Sequence, residues 1–404
     1  MAEHANLGTD SYLTLLSDPG LLAVLFISII GTMGNNVVSP ALPAVTSALA
    51  VSEARVGLLI TAYTLPAMVF VPLTSTAADM YGRRTVILPA LVVFGAAGTA
   101  LAGVDTFQTM LLLRAIQGAA VAGFMPLTVT LLGDLYSGDI GATAQGLRVG
   151  ANGIGGIIVP FAAGALAGLR WNYPFLLYAV AFFAFGFGYT FLPETSDGIG
   201  VSTETDVTAT FAWYARSLRA QLTKQNLSVL LTGGFARDFP RYAVITFVPL
   251  FAVQALGASF AEAGAILSVR GLIALVVSPF AGSLSERFSH KWVLFGAISV
   301  SAGGILLVTA ATGLIWLATA VGVYSVGDAA FSPVVKDSLT DATTDEYRSG
   351  VVGGMQLVKY SAQTASPAVF GLVLAATGFD VLFACAATVA GAYAIVVLVL
   401  FERD

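Results

Sequence analysis

The sequence predicts an all-α integral membrane protein with twelve transmembrane helices in two six-helix halves. Of its 404 residues, 57% are hydrophobic and only 10% are charged, and the mean hydropathy is +0.86. So apolar a composition is typical of a membrane protein and not of a soluble domain. The 43 glycines favour the same class, because small residues let membrane helices pack closely.

Twelve apolar runs are long enough to cross a bilayer. A hydrocarbon core about 30 Å thick needs about 20 apolar residues in each helix. Polar residues, prolines or glycines separate these runs, which cover 20–46, 54–77, 84–104, 107–134, 140–168, 173–192, 226–256, 261–284, 291–311, 313–337, 347–376 and 380–401. We therefore expect one helix from each run.

The distribution of basic residues predicts the orientation. One side of the membrane holds Arg83, Arg84, Arg216, Arg219, Lys224, Arg287, Lys291, Lys336, Arg348 and Arg403, whereas the other holds only Arg55 and Arg170. Under the positive-inside rule both termini lie in the cytoplasm, as expected of a multi-pass protein of the plasma membrane. Glu3, Asp10 and Asp18 precede the first span, which is therefore expected to be an uncleaved anchor.

A polar stretch from Glu194 to Gln225 divides the chain in the middle. The predicted domains are an N-terminal half (1–195), a cytoplasmic central loop (196–225) and a C-terminal half (226–404). Landmarks of the two halves recur at an offset of 207 residues: Pro72 and Pro279, Asp79 and Glu286, Pro126 and Pro333, and Pro160 and Pro367. Such a duplication is one plan of secondary transporters, which bind substrate between their repeats near the midplane.

Two loops at equivalent places in the halves share an acid, a glycine and basic residues. They read Ala78-Asp79-Met-Tyr-Gly82-Arg83-Arg84 and Gly282-Ser-Leu-Ser-Glu286-Arg287-Phe-Ser-His-Lys291. Both resemble the signature loop of the major facilitator superfamily, although Ser75 stands where the first copy would have a glycine. The resemblance implies the major facilitator fold. Asp79, Gly82, Arg83 and Arg84, with Gly282, Glu286, Arg287 and Lys291, would form a gating network on the cytoplasmic side.

Span 4 contains Arg114-Ala-Ile-Gln117-Gly118, which resembles a stretch found near the coupling site of proton-coupled members of this superfamily. An arginine about 10 Å into a helix is costly unless it faces protein or water. The alternative is an arginine that merely reaches back to the membrane surface.

Span 5 is rich in glycine and resembles a stretch typical of exporters and antiporters in the superfamily, although Val159 replaces a usual glycine. Small residues permit tight packing against a span of the other half. The packing residues predicted here are Gly150, Gly156, Pro160 and Gly164.

Ionisable residues inside the spans are candidates for function. They are Arg114, Arg148, Arg237, Asp238, Arg241, Arg270, Asp328 and Lys359. The excess of cations favours an anionic ligand. The predicted substrate cavity comprises Asn35, Asn36, Arg114, Gln117, Arg237, Arg241, Arg270 and Lys359, and the predicted proton-coupling residues are Asp238 and Asp328 together with Arg114.

Several alternatives remain for these charges. Asp238 can neutralise one of Arg237 and Arg241 and leave the other available. Arg270 or Lys359 can instead form a purely structural ion pair with Asp328, and Arg148 can simply reach the membrane surface.

The expected function is transport and not catalysis. One cysteine and two histidines are too few for a metal or haem site, so no cofactor is expected. No lysine follows a glycine, which excludes the common ATP-binding loop.

The predicted activity is proton-coupled export of a small organic solute by alternating access, as in the drug:proton antiporter branch that the chain resembles. The alternative is uptake or exchange of an organic anion, with an anion channel or an intramembrane enzyme far less favoured. The expected partners are a small-molecule substrate, protons and the lipid bilayer, with no nucleic acid, and the protein is expected to be a monomer.

Overall fold

The computed structural model describes residues 15–194, 225–342 and 345–401, and this part of the chain is almost entirely helical. The first group of helices comprises α1 (Pro19–Leu49), α2 (Glu53–Val56), α3 (Leu58–Tyr81), α4 (Arg83–Ala100), α5 (Phe107–Ala122), α6 (Met125–Leu135), α7 (Gly138–Leu169) and α8 (Val180–Phe191). The second comprises α9 (Gln225–Gln254), α10 (Phe260–Arg287), α11 (His290–Thr309), α12 (Leu314–Ala342), α13 (Asp345–Thr377) and α14 (Phe379–Leu400).

Each predicted span coincides with helical structure. In the described residues, 10 helical segments are long and apolar enough to cross a membrane. The long helices that fall short of that measure are α9 and α13. Their lower hydropathy has a plain cause, since α9 carries Arg237, Asp238 and Arg241, and α13 begins with several polar residues. The predicted central loop lies outside the described residues, so the domain boundaries stay a prediction.

The two groups meet along two equivalent seams. In one, between α3 and α13, Thr61 Oγ1 donates a hydrogen bond to the carbonyl of Thr364 at 2.9 Å. In the other, between α10 and α7, Ser268 Oγ donates to the carbonyl of Ile157 at 2.7 Å. Donors and acceptors are both separated by the repeat offset of 207 residues. The three-dimensional contacts therefore follow the internal repeat found in the sequence.

Glycines bring the backbones of α7 and α10 together. A Cβ added to Gly164 would lie 2.9 Å from the Cα of Gly264, and one added to Gly271 would lie 2.6 Å from the carbonyl oxygen of Gly156. The carbonyl of Pro160 also touches Gly264. Gly156, Pro160 and Gly164 thus lie at the seam. No described atom lies within 4 Å of the Cβ position of Gly150, so the packing predicted for it stays a prediction.

Contacts between the groups concentrate toward one end of the bundle. Among the described residues, the hydrogen bonds that join the groups run from the middle of the helices toward the end that holds the α1–α2 turn. Toward the opposite end of α7, Gly146 and Gly150 both face open space. The hydrogen bonds described between the two groups therefore close the bundle at one end, whereas the described part of the structure leaves Gly146 and Gly150 open at the other, here called the parted end.

A larger residue at the α7–α10 seam should weaken the closed end. We expect Gly264→Val to destabilise the protein by roughly 1–3 kcal/mol, because the added carbons would overlap the backbone of α7. Thermal unfolding of the purified protein in detergent measures this effect. The matched control is Gly168→Val, one turn from Gly164 on α7, where no atom lies within 4 Å. Equal losses in the two variants would contradict this account of the seam.

Candidate functional site

Two arginines and two aspartates form a cluster between α9 and α12. Arg237 Nε lies 2.8 Å from Asp328 Oδ1, and Arg237 Nη1 lies 3.5 Å from Asp238 Oδ1. Arg241 approaches both carboxylates, with N–O distances of 3.8 Å. Gln363 on α13 also donates to Asp238 at 2.9 Å. With all four residues ionised the cluster is neutral, which is how charges become tolerable inside a membrane.

This arrangement corrects part of the sequence interpretation. Asp238 does not neutralise one arginine alone, because Asp328 contacts both Arg237 and Arg241. Within the described residues, Asp328 forms salt bridges with Arg237 and Arg241, and the structural pairs with Arg270 or Lys359 stay a prediction. Arg237 is only 11% exposed and already paired, which leaves it poorly placed to contact a substrate. The pairing does not change the excess of cations in the spans, which is carried by Arg114, Arg148, Arg270 and Lys359.

Arg114 is completely buried among helices of the first group. Its guanidinium donates to the carbonyls of Leu59 at 3.1 Å and Gly34 at 3.0 Å, and it lies 4.2 Å from the ring centroid of Tyr63. It also donates to Gln117 Oε1 at 2.6 Å. The alternative of an arginine that reaches the membrane surface is wrong, because the exposed fraction of Arg114 is 0%. Its described hydrogen-bond partners are neutral oxygens, so its charge is stabilised by dipoles and an aromatic face.

Asn35 connects this arginine to the second group. Its Oδ1 accepts from Arg114 Nη2 at 2.8 Å, and its Nδ2 donates to the hydroxyl of Tyr242 at 3.4 Å. Tyr242 directly follows Arg241 of the charged cluster on α9. The neighbouring Asn36 is half-buried and makes no hydrogen bond to a described residue. A single amide therefore bridges the two charged centres.

Other predicted cavity residues lie beside the cluster. Arg270 on α10 is half-buried, and electrostatic interactions link it to Tyr324, Arg241 and Asp328. Lys359 on α13 is also half-buried and packs near Gly234 of α9. Arg148, outside this region, is buried and donates to Gln145 at 3.0 Å. Its side chain thus stays within the protein.

The first signature loop is bonded inside the first group. Arg83 pairs with Asp79 at 3.5 Å and with Asp134, and Arg84 donates to the carbonyl of Tyr189 at 2.6 Å. These contacts join α3 and α4 to α6 and α8 and do not reach the second group. In the second loop, the surroundings of Gly282 and the side chain of Glu286 lie outside the described part of the structure, whereas Arg287 is exposed and Lys291 is half-buried. The gating role of both loops stays a prediction.

Glu194 belongs to the first signature loop in space, although the sequence interpretation assigned it only to the start of the central loop. Its carboxylate accepts from the backbone N–H of Arg84 at 3.4 Å, at the beginning of α4, where a negative charge is favourable. Gly82 has a φ of 96°, and a Cβ there would lie 2.6 Å from Glu194 Oε2. The glycine therefore serves both the turn and the approach of the carboxylate. The sequence did not indicate this contact, because Glu194 lies more than a hundred residues from Gly82 and Arg84 along the chain.

Comparisons with known proteins identify a protein family and several relatives. A family model described as Major Facilitator Superfamily matches residues 24–236 and 230–404. The chain is 31% identical to the Bacillibactin exporter of Bacillus subtilis (strain 168) over 162 residues, which are 38% of this chain and 40% of that protein. It is 25% identical to the Multidrug transporter protein MdtP of the same organism over 349 residues, which are 75% of this chain and 64% of that protein. The matched part is thus less than two thirds of either relative.

A solved structure shows the same fold. The crystal structure of a POT family transporter in complex with 5-aminolevulinic acid has a TM-score of 0.81, covering 94% of this chain and 95% of that one, at 12% identity. At so low an identity the likeness concerns the fold alone. With the family match, it confirms the fold class that the sequence predicts.

The bridge through Asn35 should contribute to stability. We expect Asn35→Leu to cost roughly 1–3 kcal/mol, because it would leave a donor of the buried Arg114 without its acceptor. Asn36→Leu is the matched control, since it removes the neighbouring amide without breaking a described hydrogen bond. Unfolding of both variants in detergent gives the comparison. A loss in Asn36→Leu as large as that in Asn35→Leu would argue against the bridge.

Proposed function

The chain belongs to the Major Facilitator Superfamily, and from that premise we propose that it is a proton-coupled antiporter that exports a small organic solute. It is a multi-pass membrane transporter and not an enzyme. The observation that carries the proposal is the neutral cluster of Arg237, Asp238, Arg241 and Asp328 within the predicted spans. Tyr242, the residue after Arg241, accepts a hydrogen bond from Asn35 of the other half. This cluster contains groups able to take up a proton.

In the proposed coupling, protonation of Asp238 or Asp328 is the step that changes the cluster. A protonated carboxyl no longer balances the positive charge of a guanidinium. The neighbouring arginine then carries an unbalanced charge and can bind another partner. Arg241 is the more accessible of the two arginines, at 30% side-chain exposure against 11% for Arg237. Proton binding would thereby alter the affinity of the neighbouring cavity for a solute.

Alternating access would use the two seams. With the termini in the cytoplasm, as proposed, the parted end would face the cytoplasm and the conformation would be inward-facing. Opening outward would break the bonds from Thr61 to Thr364 and from Ser268 to Ile157 while the signature loops close the other end. In this proposal residues 1–195 rock against residues 226–404, and the protein acts as a monomer in the plasma membrane.

The direction of transport is supported by the names of two relatives, a bacillibactin exporter and a multidrug transporter. The second candidate is uptake or exchange of an organic anion. It is favoured by Arg270, which forms no salt bridge or hydrogen bond within the described part of the chain although it lies among charged residues.

Coupling is tested in proteoliposomes that contain a pH-sensitive dye, challenged in turn with lipophilic cations and small organic anions. We expect the wild-type protein to move protons against solute. Asp238→Asn, Asp328→Asn or both should abolish the proton movement, because an amide cannot carry the proton, while solute exchange without a pH gradient persists. The control is Asp105→Asn, at an exposed position between α4 and α5. Unchanged coupling in both aspartate variants would exclude these residues as proton carriers.

A further inference from the structure

The internal repeat superimposes the surroundings of Arg114 on a region of the second half. At the offset of 207 residues, Gly34, Asn35, Tyr63 and Gln117 correspond to Arg241, Tyr242, Arg270 and Tyr324. Arg114 itself corresponds to Val321. In the first half, hydrogen-bond acceptors and an aromatic ring thus surround one cation, Arg114. The second half has no central cation at this place, and its surroundings supply guanidinium and phenol groups instead.

Two of these donors lack partners. Arg270 Nε and the hydroxyl of Tyr324 are buried and have no hydrogen-bond partner within the described part of the chain. Arg241 differs, because its Nε lies 3.8 Å from Asp328 Oδ2. Tyr324 is only 2% exposed, so water cannot easily reach its hydroxyl. Buried polar groups are nearly always paired in proteins, so the two unpaired donors indicate that a partner is missing.

The charge around the three donors is suited to an anion. Electrostatic interactions link Tyr324 to Arg270, Arg241 and Asp328. Asp328 is already engaged by Arg237 and Arg241, so it leaves the guanidinium of Arg270 without an acid of its own. The hydroxyl and the two guanidinium groups are donors that match the two oxygens of a carboxylate.

We propose that Arg270, Tyr324 and Arg241 form a subsite that binds a carboxylate group of the transported solute. This inference rests on the proposed transport function and specifies its substrate class. The subsite takes the place that Arg114 fills in the first half, with the charges reversed. Arg241 belongs both to this subsite and to the proton-binding cluster. Protonation of the cluster and binding of a carboxylate would therefore both change the charge balance around Arg241.

The test measures binding and transport separately. The probes are benzoate, 1-naphthoate and octanoate, each paired with its neutral amide, and binding to the purified full chain is followed as a rise in the unfolding temperature. We expect a carboxylate to bind about tenfold or more tightly than its amide, because it accepts charged hydrogen bonds. Arg270→Gln should remove this preference, and Tyr324→Phe should reduce it severalfold without loss of stability, since the hydroxyl has no partner to lose.

Arg55→Gln is the control for a lost positive charge, because Arg55 is exposed and lies near the closed end. Equal binding of carboxylates and amides, no binding of any carboxylate, or a preference that survives Arg270→Gln would overturn the subsite. Proton flux with the same compounds and with tetraphenylphosphonium is measured alongside. Flux with tetraphenylphosphonium and no carboxylate preference would leave the transport function standing and overturn the subsite. Carboxylate-selective binding that depends on Arg270, with no flux of any compound, would support the subsite and count against the proposed antiport.

Discussion

The cost of a buried charge in a membrane organises the centre of this protein. A guanidinium in hydrocarbon requires acids, carbonyl dipoles or an aromatic face around it. Arg114 obtains carbonyls and amide oxygens from α1, α3 and its own helix, and Arg237 obtains two carboxylates from α9 and α12. Each solution fixes neighbouring helices relative to one another. In the proposed transport cycle the two charged centres would stay intact, and the surfaces between the two groups would change.

The contacts between the two groups are individually weak. The seams are made of glycines in backbone contact and of single hydroxyl-to-carbonyl hydrogen bonds, such as those of Thr61 and Ser268. A hydrogen bond of this kind contributes only about 0.5–1.5 kcal/mol net, so breaking several of them is within reach of a ligand or an ion gradient. The charged clusters would be far harder to separate, and they lie inside each group. Among the described residues, Asn35 also donates a hydrogen bond to the hydroxyl of Tyr242 across this interface.

The sequence predicts the fold far better than it predicts the pairing of charges. Apolar runs, the repeat offset and the signature loops suffice for twelve helices in two halves, because they depend on local hydropathy and on short motifs. The partners of Asp328 could not be predicted, since they depend on which face of α12 turns toward α9. Glu194 was missed for a similar reason, because its contact with the start of α4 forms only in three dimensions.

The two halves share a framework but have placed their charges differently, and this difference has a functional consequence. In the first half a cation belonging to the chain fills the central position and satisfies its surroundings permanently. In the second half the equivalent position is Val321, and the surrounding donors Arg270 and Tyr324 stay without a hydrogen-bond partner within the described residues. A permanently satisfied site can hold a structure but cannot respond to a ligand. In the proposed transport cycle, the response to solute and to protons would therefore arise mainly in the second half, where Asp238 and Asp328 also lie, while the first half would serve as the body against which it moves.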